Sequence, residues 1–165
     1  MIFVTVGTHE QPFNRLLRII DNMVESKEIT EEVIVQKGYS DYELKNCKSY
    51  KIIGYDEMKK YIENARIVIT HGGPASFIAP ITIGKIPIVV PRQKEYNEHV
   101  NNHQLEFARQ VEQRMNNIIV AETEAEIIDA IINYDSIISK MSGGICTHNS
   151  EFMKAFNEEI KKVLK

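Results

Sequence analysis

Three short stretches of this sequence gather the groups that chemistry on an oxygen-rich ligand requires. The first, Gly7-Thr8-His9, supplies a turn, a hydroxyl and an imidazole. The second, His71-Gly72-Gly73-Pro74-Ala75-Ser76, joins another imidazole to two successive glycines and a serine. Adjacent glycines let a ligand approach the main chain, and amides at a helix start favour an anion, so a diphosphate is the natural guest. The structural alternatives are a bare turn at Gly7 and a helix cap at Ser76. Neither stretch is a dinucleotide GxGxxG fingerprint or a triphosphate GxxxxGK[ST] loop, since Gly7 stands alone and Lys85 lies past the helix. The third stretch, 91–104, is crowded with polar side chains. Arg92, Glu98 and Asn102 join the candidate substrate-binding set there, because amides and carboxylates hydrogen-bond sugar hydroxyls. His99 and His103 are four residues apart, a spacing that suits a metal on a helix, but no third ligand matches and no metal is expected. His9 and His71 are the candidate bases, because imidazole changes charge near neutral pH. A loop hydrogen bond is the plainer role for each.

These stretches need elements to hold them. Residues 1–6 form an apolar run ending at Gly7, and 11–24 places Phe13, Leu16, Leu17, Ile20, Met23 and Val24 at helical spacing. Residues 33–36, 50–53, 67–70, 86–90 and 118–121 read as further strands, with 33–36 and 50–53 too continuously apolar to be one-sided. Residues 56–64, 75–83, 98–113 and 124–133 read as helices. Asp56 is the expected N-cap of the first of these; Pro74 opens the second, Gly84 stops it and Pro80 interrupts it. Parallel strands need crossovers long enough for a helix, so the alternation predicts an α/β fold, a doubly wound parallel sheet covered on both faces. Ligands of such sheets bind beyond the carboxyl ends of the strands, where all three stretches fall. Residues 141–150 read as a loop and 151–164 as an amphipathic helix whose Phe152, Phe156, Ile160 and Val163 stripe must be covered by the sheet or by a partner.

The composition bounds the function. With 165 residues and 19.0 kDa, one domain spanning 1–165 is expected, too short for two full nucleotide-binding halves. Hydrophobic residues at 43% and charged ones at 26% exclude disordered and collagen-like classes. A net charge of -3 provides no field for polyanions, so no nucleic-acid partner is expected. Apolar runs fall short of the roughly 20 residues of a membrane helix, and no secretory signal pattern opens the chain, so a cytoplasmic location is expected. Cys47 and Cys146 suggest neither a disulfide framework nor a CxxC site and read as structural or surface thiols.

In order along the chain, Ile67-Val68-Ile69-Thr70-His71-Gly72-Gly73-Pro74-Ala75-Ser76, then Gly84-Lys85-Ile86-Pro87-Ile88-Val89-Val90-Pro91-Arg92, then the stretch 98–108, resemble the glycosyltransferase family 28 C-terminal domain, the donor-binding half of GT-B enzymes. The opening 2–8 and Val35-Gln36-Lys37-Gly38 are similar to the small stand-alone members. Those are donor subunits of two-component transferases, of the bacterial capsule and exopolysaccharide β-1,4-galactosyltransferase enhancer type and of the soluble subunit of the dolichol-linked N-acetylglucosaminyltransferase. The resemblance implies a Rossmann-like domain equivalent to the C-terminal half of a GT-B glycosyltransferase and no cofactor. It also implies a UDP-sugar donor, from which a hexose or N-acetylhexosamine passes to a lipid-linked saccharide acceptor. A membrane-associated subunit would supply the acceptor half and hold this chain at the inner face of the membrane. By matching position it places Gly7 and Thr8 near the diphosphate, Gly72, Gly73 and Ser76 in a second phosphate-facing loop, and Asn102, His103 and Gln104 near the donor sugar. Helix dipoles and basic groups, rather than a metal, would stabilise the leaving diphosphate. The base would be His9, His71 or a group of the partner. One departure stands out: the family usually has Glu, on the ribose hydroxyls, where this chain has Ala79. The other reading is therefore a non-catalytic subunit that activates a partner, with Ala79 marking lost nucleotide recognition.

Overall fold

The computed structural model of the protein describes residues 1–141 and, beyond them, 154, 158, 159, 161 and 162. Six strands, β1 (Ile2–Thr5), β2 (Val33–Gln36), β3 (Lys48–Tyr50), β4 (Ile67–His71), β5 (Ile88–Val90) and β6 (Ile119–Val120), form one sheet in the order β3-β2-β1-β4-β5-β6. Every pairing is parallel. The crossovers carry α1 (Asn14–Glu25), α2 (Tyr55–Asn64), α3 (Pro74–Thr82) and α4 (His103–Met115), and α5 (Glu124–Ile132) and α6 (Tyr134–Lys140) follow β6. The strand order reverses between β1 and β4, which pair Thr5 to Thr70 at their carboxyl ends. Such a reversal opens a crevice, because the loops leaving the two strands run to opposite faces.

The continuous apolar strands are explained by two cores. Successive side chains of a strand point to opposite faces, so Ile2, Val4, Ile67, Ile69, Ile88 and Val90 pack against Leu16, Leu17 and Ile20 of α1 and Ile127 and Ile131 of α5. Phe3, Ile34 and Val68 face the other way, onto Ile62 of α2, and Val89 and Val120 meet Phe77 and Ile81 of α3 and Phe107 and Val111 of α4.

Helix ends follow local chemistry. Thr123 and Glu126 form a reciprocal capping box at α5, with the Thr123 hydroxyl accepting from the Glu126 amide at 3.2 Å. Lys85 closes the far end of α2, its ammonium donating to the carbonyls of Ile62 and Glu63, both at 2.7 Å, and to that of Ala65. Gly54, not Asp56, is the N-cap of α2; Asp56 lies in its first turn, where a carboxylate favours the helix dipole. Pro80 is inside α3, buried in the last turn, and Pro74 occupies the first, where no amide is needed.

Two further expectations are corrected. The third strand is Lys48–Tyr50 rather than 50–53, and it is a partly exposed edge; past Tyr50 the chain leaves the ladder, and the Gly38 amide donates to the Lys51 carbonyl at 2.9 Å. The helix expected from residue 98 begins at His103; before it come a single 3-10 turn, Lys94–Tyr96, and a left-handed Asn97 at φ 56°. The loop expected at 142–150, with Cys146, lies outside the described residues. So does the helix expected over 151–164, except at Lys154, Glu158, Glu159, Lys161 and Lys162, which are helical. Among the described residues no helix is long and apolar enough to cross a membrane.

Candidate functional site

The exits of β1 and β4 form two walls of one open cleft of about 520 Å³. Gly7, Thr8 and His9 line it from the β1 side, His71, Gly73, Ala75 and Ser76 from the β4 side, with Gln36 and Met58 also contributing. A second, apolar groove of about 260 Å³ between α2 and α3 adjoins it, with Met58 and Ala75 lining both. Tyr55, Ile62, Ala79 and Ile83 line that groove.

His71 organises the cleft. The amide of Gly73 donates to its Nδ1 at 3.0 Å, so this nitrogen is bare in the neutral ring and the hydrogen resides on Nε2. Nε2 lies 2.7 Å from the hydroxyl of Ser76 and therefore donates to it. Burial, with the charge of Arg92 adding to it, holds the imidazole well below its ordinary value, at about 4. The ring is thus neutral near pH 7, and the Ser76 hydroxyl, already accepting from His71, keeps its own hydrogen to donate. At the same place α3 begins, where Ala75 is the first residue with an amide, and the first amides of a helix have no acceptor within it. A hydroxyl donor and a helix N-terminus together suit an anionic oxygen.

The glycines have a different reason from the expected one. A Cβ on Gly7 or Gly73 would collide with the His71 ring, and Gly7 also needs its φ of 75°. A Cβ on Gly72 would stand 2.8 Å from Cβ of Gln104 and 3.0 Å from that of Pro91. The glycines make room for the chain's own imidazole and prolyl packing. Nor are the amides of Gly7 and Gly73 held out to a ligand: Gly7 donates to Oγ1 of Thr5 at 3.2 Å and Gly73 to His71. For Gly7 and Gly73 the expected role of amide donor to an anion is corrected accordingly, and the donors at the cleft are the Ser76 hydroxyl, the Ala75 amide and the exposed Thr8.

His71 is likewise corrected as a base, since both ring nitrogens are engaged and accepting a proton would break the bond from Gly73. His9 differs. Its ring stacks on that of His99, centroids 4.7 Å apart and planes at 19°, and its Nε2 lies 2.9 Å from Oε1 of Gln11. Burial, then the neighbouring His9 and Arg92, holds His99 below its ordinary value.

The polar stretch after β5 mostly satisfies itself. Arg92 is 1% exposed; Nη1 donates to the carbonyls of Gln11 and Glu98 at 2.6 and 3.0 Å, Nη2 to that of Val6 at 2.7 Å, and the guanidinium lies over the Phe13 ring. Burial lowers its pKa to about 10, and among the described residues its Nε has no hydrogen-bond partner. Glu98, 2% exposed, takes a forked pair from Arg15 at 2.8 and 3.1 Å and accepts from the Gln93 amide at 3.0 Å. Both are buried and bonded within the protein and neither lines the cleft, which corrects both as substrate contacts: these groups tie the loop after β1 to the loop after β5. Asn102 accepts from the Lys94 amide and donates to Glu95, both at 2.8 Å, closing its own loop. Gln104 accepts from the Arg92 amide at 3.1 Å behind Gly72. His103 is exposed at the start of α4, beside a separate pocket with Glu106, Phe107 and Gln110. His99 precedes that helix, so the two do not present a helical pair; among the described residues no group of three or more metal-ligating side chains occurs.

Reading the sequence missed Arg15, Gln11 and Gln36. Gln36 ends a strand otherwise made of Val and Ile, which is a legible signal of a polar partner, and it donates to Oγ1 of Thr5 at 3.0 Å and accepts from the Ile53 amide at 2.9 Å. Arg15 carries no such signal, because its partner is 83 residues away.

Comparison with known proteins gives the geometry a setting. The family model described as the glycosyltransferase family 28 C-terminal domain matches residues 1–143. No curated protein matches the sequence. Among solved structures, the chain is similar to ALG13, with a TM-score of 0.62 and 18% identity over 94% of each chain. It is similar to the glycosyltransferase SnogD from Streptomyces nogalater, TM-score 0.52 and 18% identity, over 87% of this chain and 40% of that one. It is also similar to the glycosyltransferase of kitacinnamycin, TM-score 0.57 and 16% identity, over 98% of this chain and 42% of that one. The chain thus spans about two fifths of the length of those two enzymes, and at these identities the likeness shows the fold.

Proposed function

Because the chain belongs to the glycosyltransferase family 28 C-terminal domain family, we propose that it is the donor-binding subunit of a two-component glycosyltransferase. It transfers a hexose or N-acetylhexosamine from a UDP-sugar to a lipid-linked saccharide in capsule or exopolysaccharide synthesis. A membrane-associated subunit provides the acceptor half of the site and holds this chain at the cytoplasmic face. The observation that carries the reading is the cleft at the reversal of strand order, where the Ser76 hydroxyl and the first turn of α3 converge. In the donor complex the diphosphate lies against these groups and Thr8, and the nucleoside extends into the adjoining α2/α3 groove. The sugar and acceptor face the open side, which the partner closes.

Leaving-group stabilisation falls to fixed donors: the neutral His71 keeps the Ser76 hydrogen available, and the helix start favours the charge that develops on the diphosphate. Calorimetric titration of the purified chain with uridine diphosphate, alone and with its partner, tests this. Binding is expected in at least one state, and Ser76→Ala weakens it about tenfold, the loss of one hydrogen bond to a charged group. Absence of binding in both states overturns the donor-binding reading. It would favour instead a non-catalytic activator of a partner transferase, for which Ala79 in the groove is the supporting feature.

A further inference from the structure

The hydrogen-bond roles along one short relay follow from a single carbonyl. The main-chain oxygen of Asn97 can only accept, and it lies 3.3 Å from the side-chain amide nitrogen of Gln11. That contact fixes which end of the amide is which, so Oε1 of Gln11 faces Nε2 of His9 at 2.9 Å. Oε1 also only accepts, and Nε2 must therefore carry the hydrogen. A neutral imidazole has one such hydrogen, which leaves Nδ1 of His9 with a bare lone pair. Among the described residues Nδ1 makes no hydrogen bond, and His9 lines the cleft.

The relay is anchored at both ends. The Gln11 carbonyl accepts from the buried Arg92 at 2.6 Å, so its main chain is tied to the exit of β5. Asn97 closes the 3-10 turn, its amide donating to the Lys94 carbonyl at 2.9 Å with its backbone in the left-handed region. His99 lies flat against the His9 ring and limits its rotation. A nitrogen base oriented by a hydrogen-bond acceptor on its other nitrogen is the arrangement that proton transfer from a hydroxyl requires.

We propose that Gln11 is a positioning residue that commits His9 to the Nε2–H tautomer, so that Nδ1 takes the proton of the acceptor hydroxyl. This rests on the reading of the cleft as the site of glycosyl transfer. As the acceptor oxygen bonds to the anomeric carbon, its proton passes to Nδ1. The bond from that carbon to the diphosphate oxygen breaks, and its electron pair leaves on the diphosphate. His9 becomes an imidazolium whose Nε2–H remains on the side-chain Oε1 of Gln11.

The test has two readouts. Long-range proton–nitrogen correlation spectra of the labelled full-length chain, above the titration range of imidazole, report the tautomer directly. His9 is expected as the Nε2–H form in the wild type and in Gln11→Glu, which keeps an acceptor, and as a mixture in Gln11→Met. A wild-type Nδ1–H form, or a Gln11→Met spectrum identical to wild type, overturns the assignment. The second readout is sugar transfer from UDP-galactose and UDP-glucose in membranes co-expressing the chain and its partner. Gln11→Met lowers kcat about tenfold or more with the donor KM held, and Gln11→Glu restores part of it. A changed tautomer with unchanged kcat overturns the proton-transfer role. No transfer by the wild type from any nucleotide sugar counts against the glycosyltransferase reading instead, and the spectra still decide the tautomer.

Discussion

At His71 one side chain sets the neighbourhood of two glycines, the tautomer of its own ring and the role of one hydroxyl, and its protonation is tied to folding. The folded ring titrates at about 4 against an ordinary 6.5, so between those values the unfolded chain binds the proton and the folded one does not. Stability therefore rises with pH across that window and is lost as pH falls through it, by up to about 3 kcal/mol for this group. Urea unfolding from pH 7 to pH 4 checks this, and His71→Asn flattens much of the slope; His99 and the carboxyls of Glu31 and Glu95, held low in the same direction, add to it. At Ala79 the expected change is a gain. The residue is exposed on the wall of the groove, so Ala79→Glu introduces a carboxylate without burying it and strengthens binding of uridine diphosphate about tenfold, measurable by calorimetry. The His-Gly-Gly run was legible as a candidate site from its residue types, but the purpose of its glycines was not: Gly73 makes room for the His71 ring and Gly72 for Pro91 and Gln104, neighbours that only the folded chain reveals.

Among the elements, the loops leaving β1 and β5 are held together by Arg92 and by the Arg15–Glu98 pair rather than by packing alone. Removing Arg92 as Arg92→Leu leaves the carbonyls of Val6, Gln11 and Glu98 without their donor inside the protein, at a cost of about 3–5 kcal/mol. Glu98→Gln removes the partner of Arg15 and costs about 2 kcal/mol or more. Both appear as lower urea midpoints, and both weaken uridine diphosphate binding because the Gly7-Thr8-His9 wall loses its brace. This explains why Arg92 and Glu98 read as ligand contacts. Charged and amide residues packed into a strand exit satisfy a ligand and satisfy a loop with the same chemistry, and only the partners, distant in sequence, distinguish the two. The helix starts at Pro74 and Glu124 fall where the pattern places them, whereas the start of α4 was misplaced because residues 98–102 carry helix-compatible residues that precede the helix.

For the molecule as a whole, alternation of strand and helix carried the parallel sheet, but strand order did not follow from it. The reversal between β1 and β4 is what brings residues 7–9 and 71–76 into one cleft, and it is set by pairing between segments some 60 residues apart, Ile2 with Ile67 through Thr5 with Thr70. The proposed dependence on a membrane-bound partner belongs to this scale. In cell fractionation the chain expressed alone is expected in the supernatant and, co-expressed with its partner, with the membranes; partition to membranes without the partner contradicts that arrangement. The flanks of the sheet have their own consequence. Its outermost strands, Lys48–Tyr50 and Ile119–Val120, are three and two residues long, too few rungs for another polypeptide to zip onto, so the fold is guarded against templated fibre growth at both flanks.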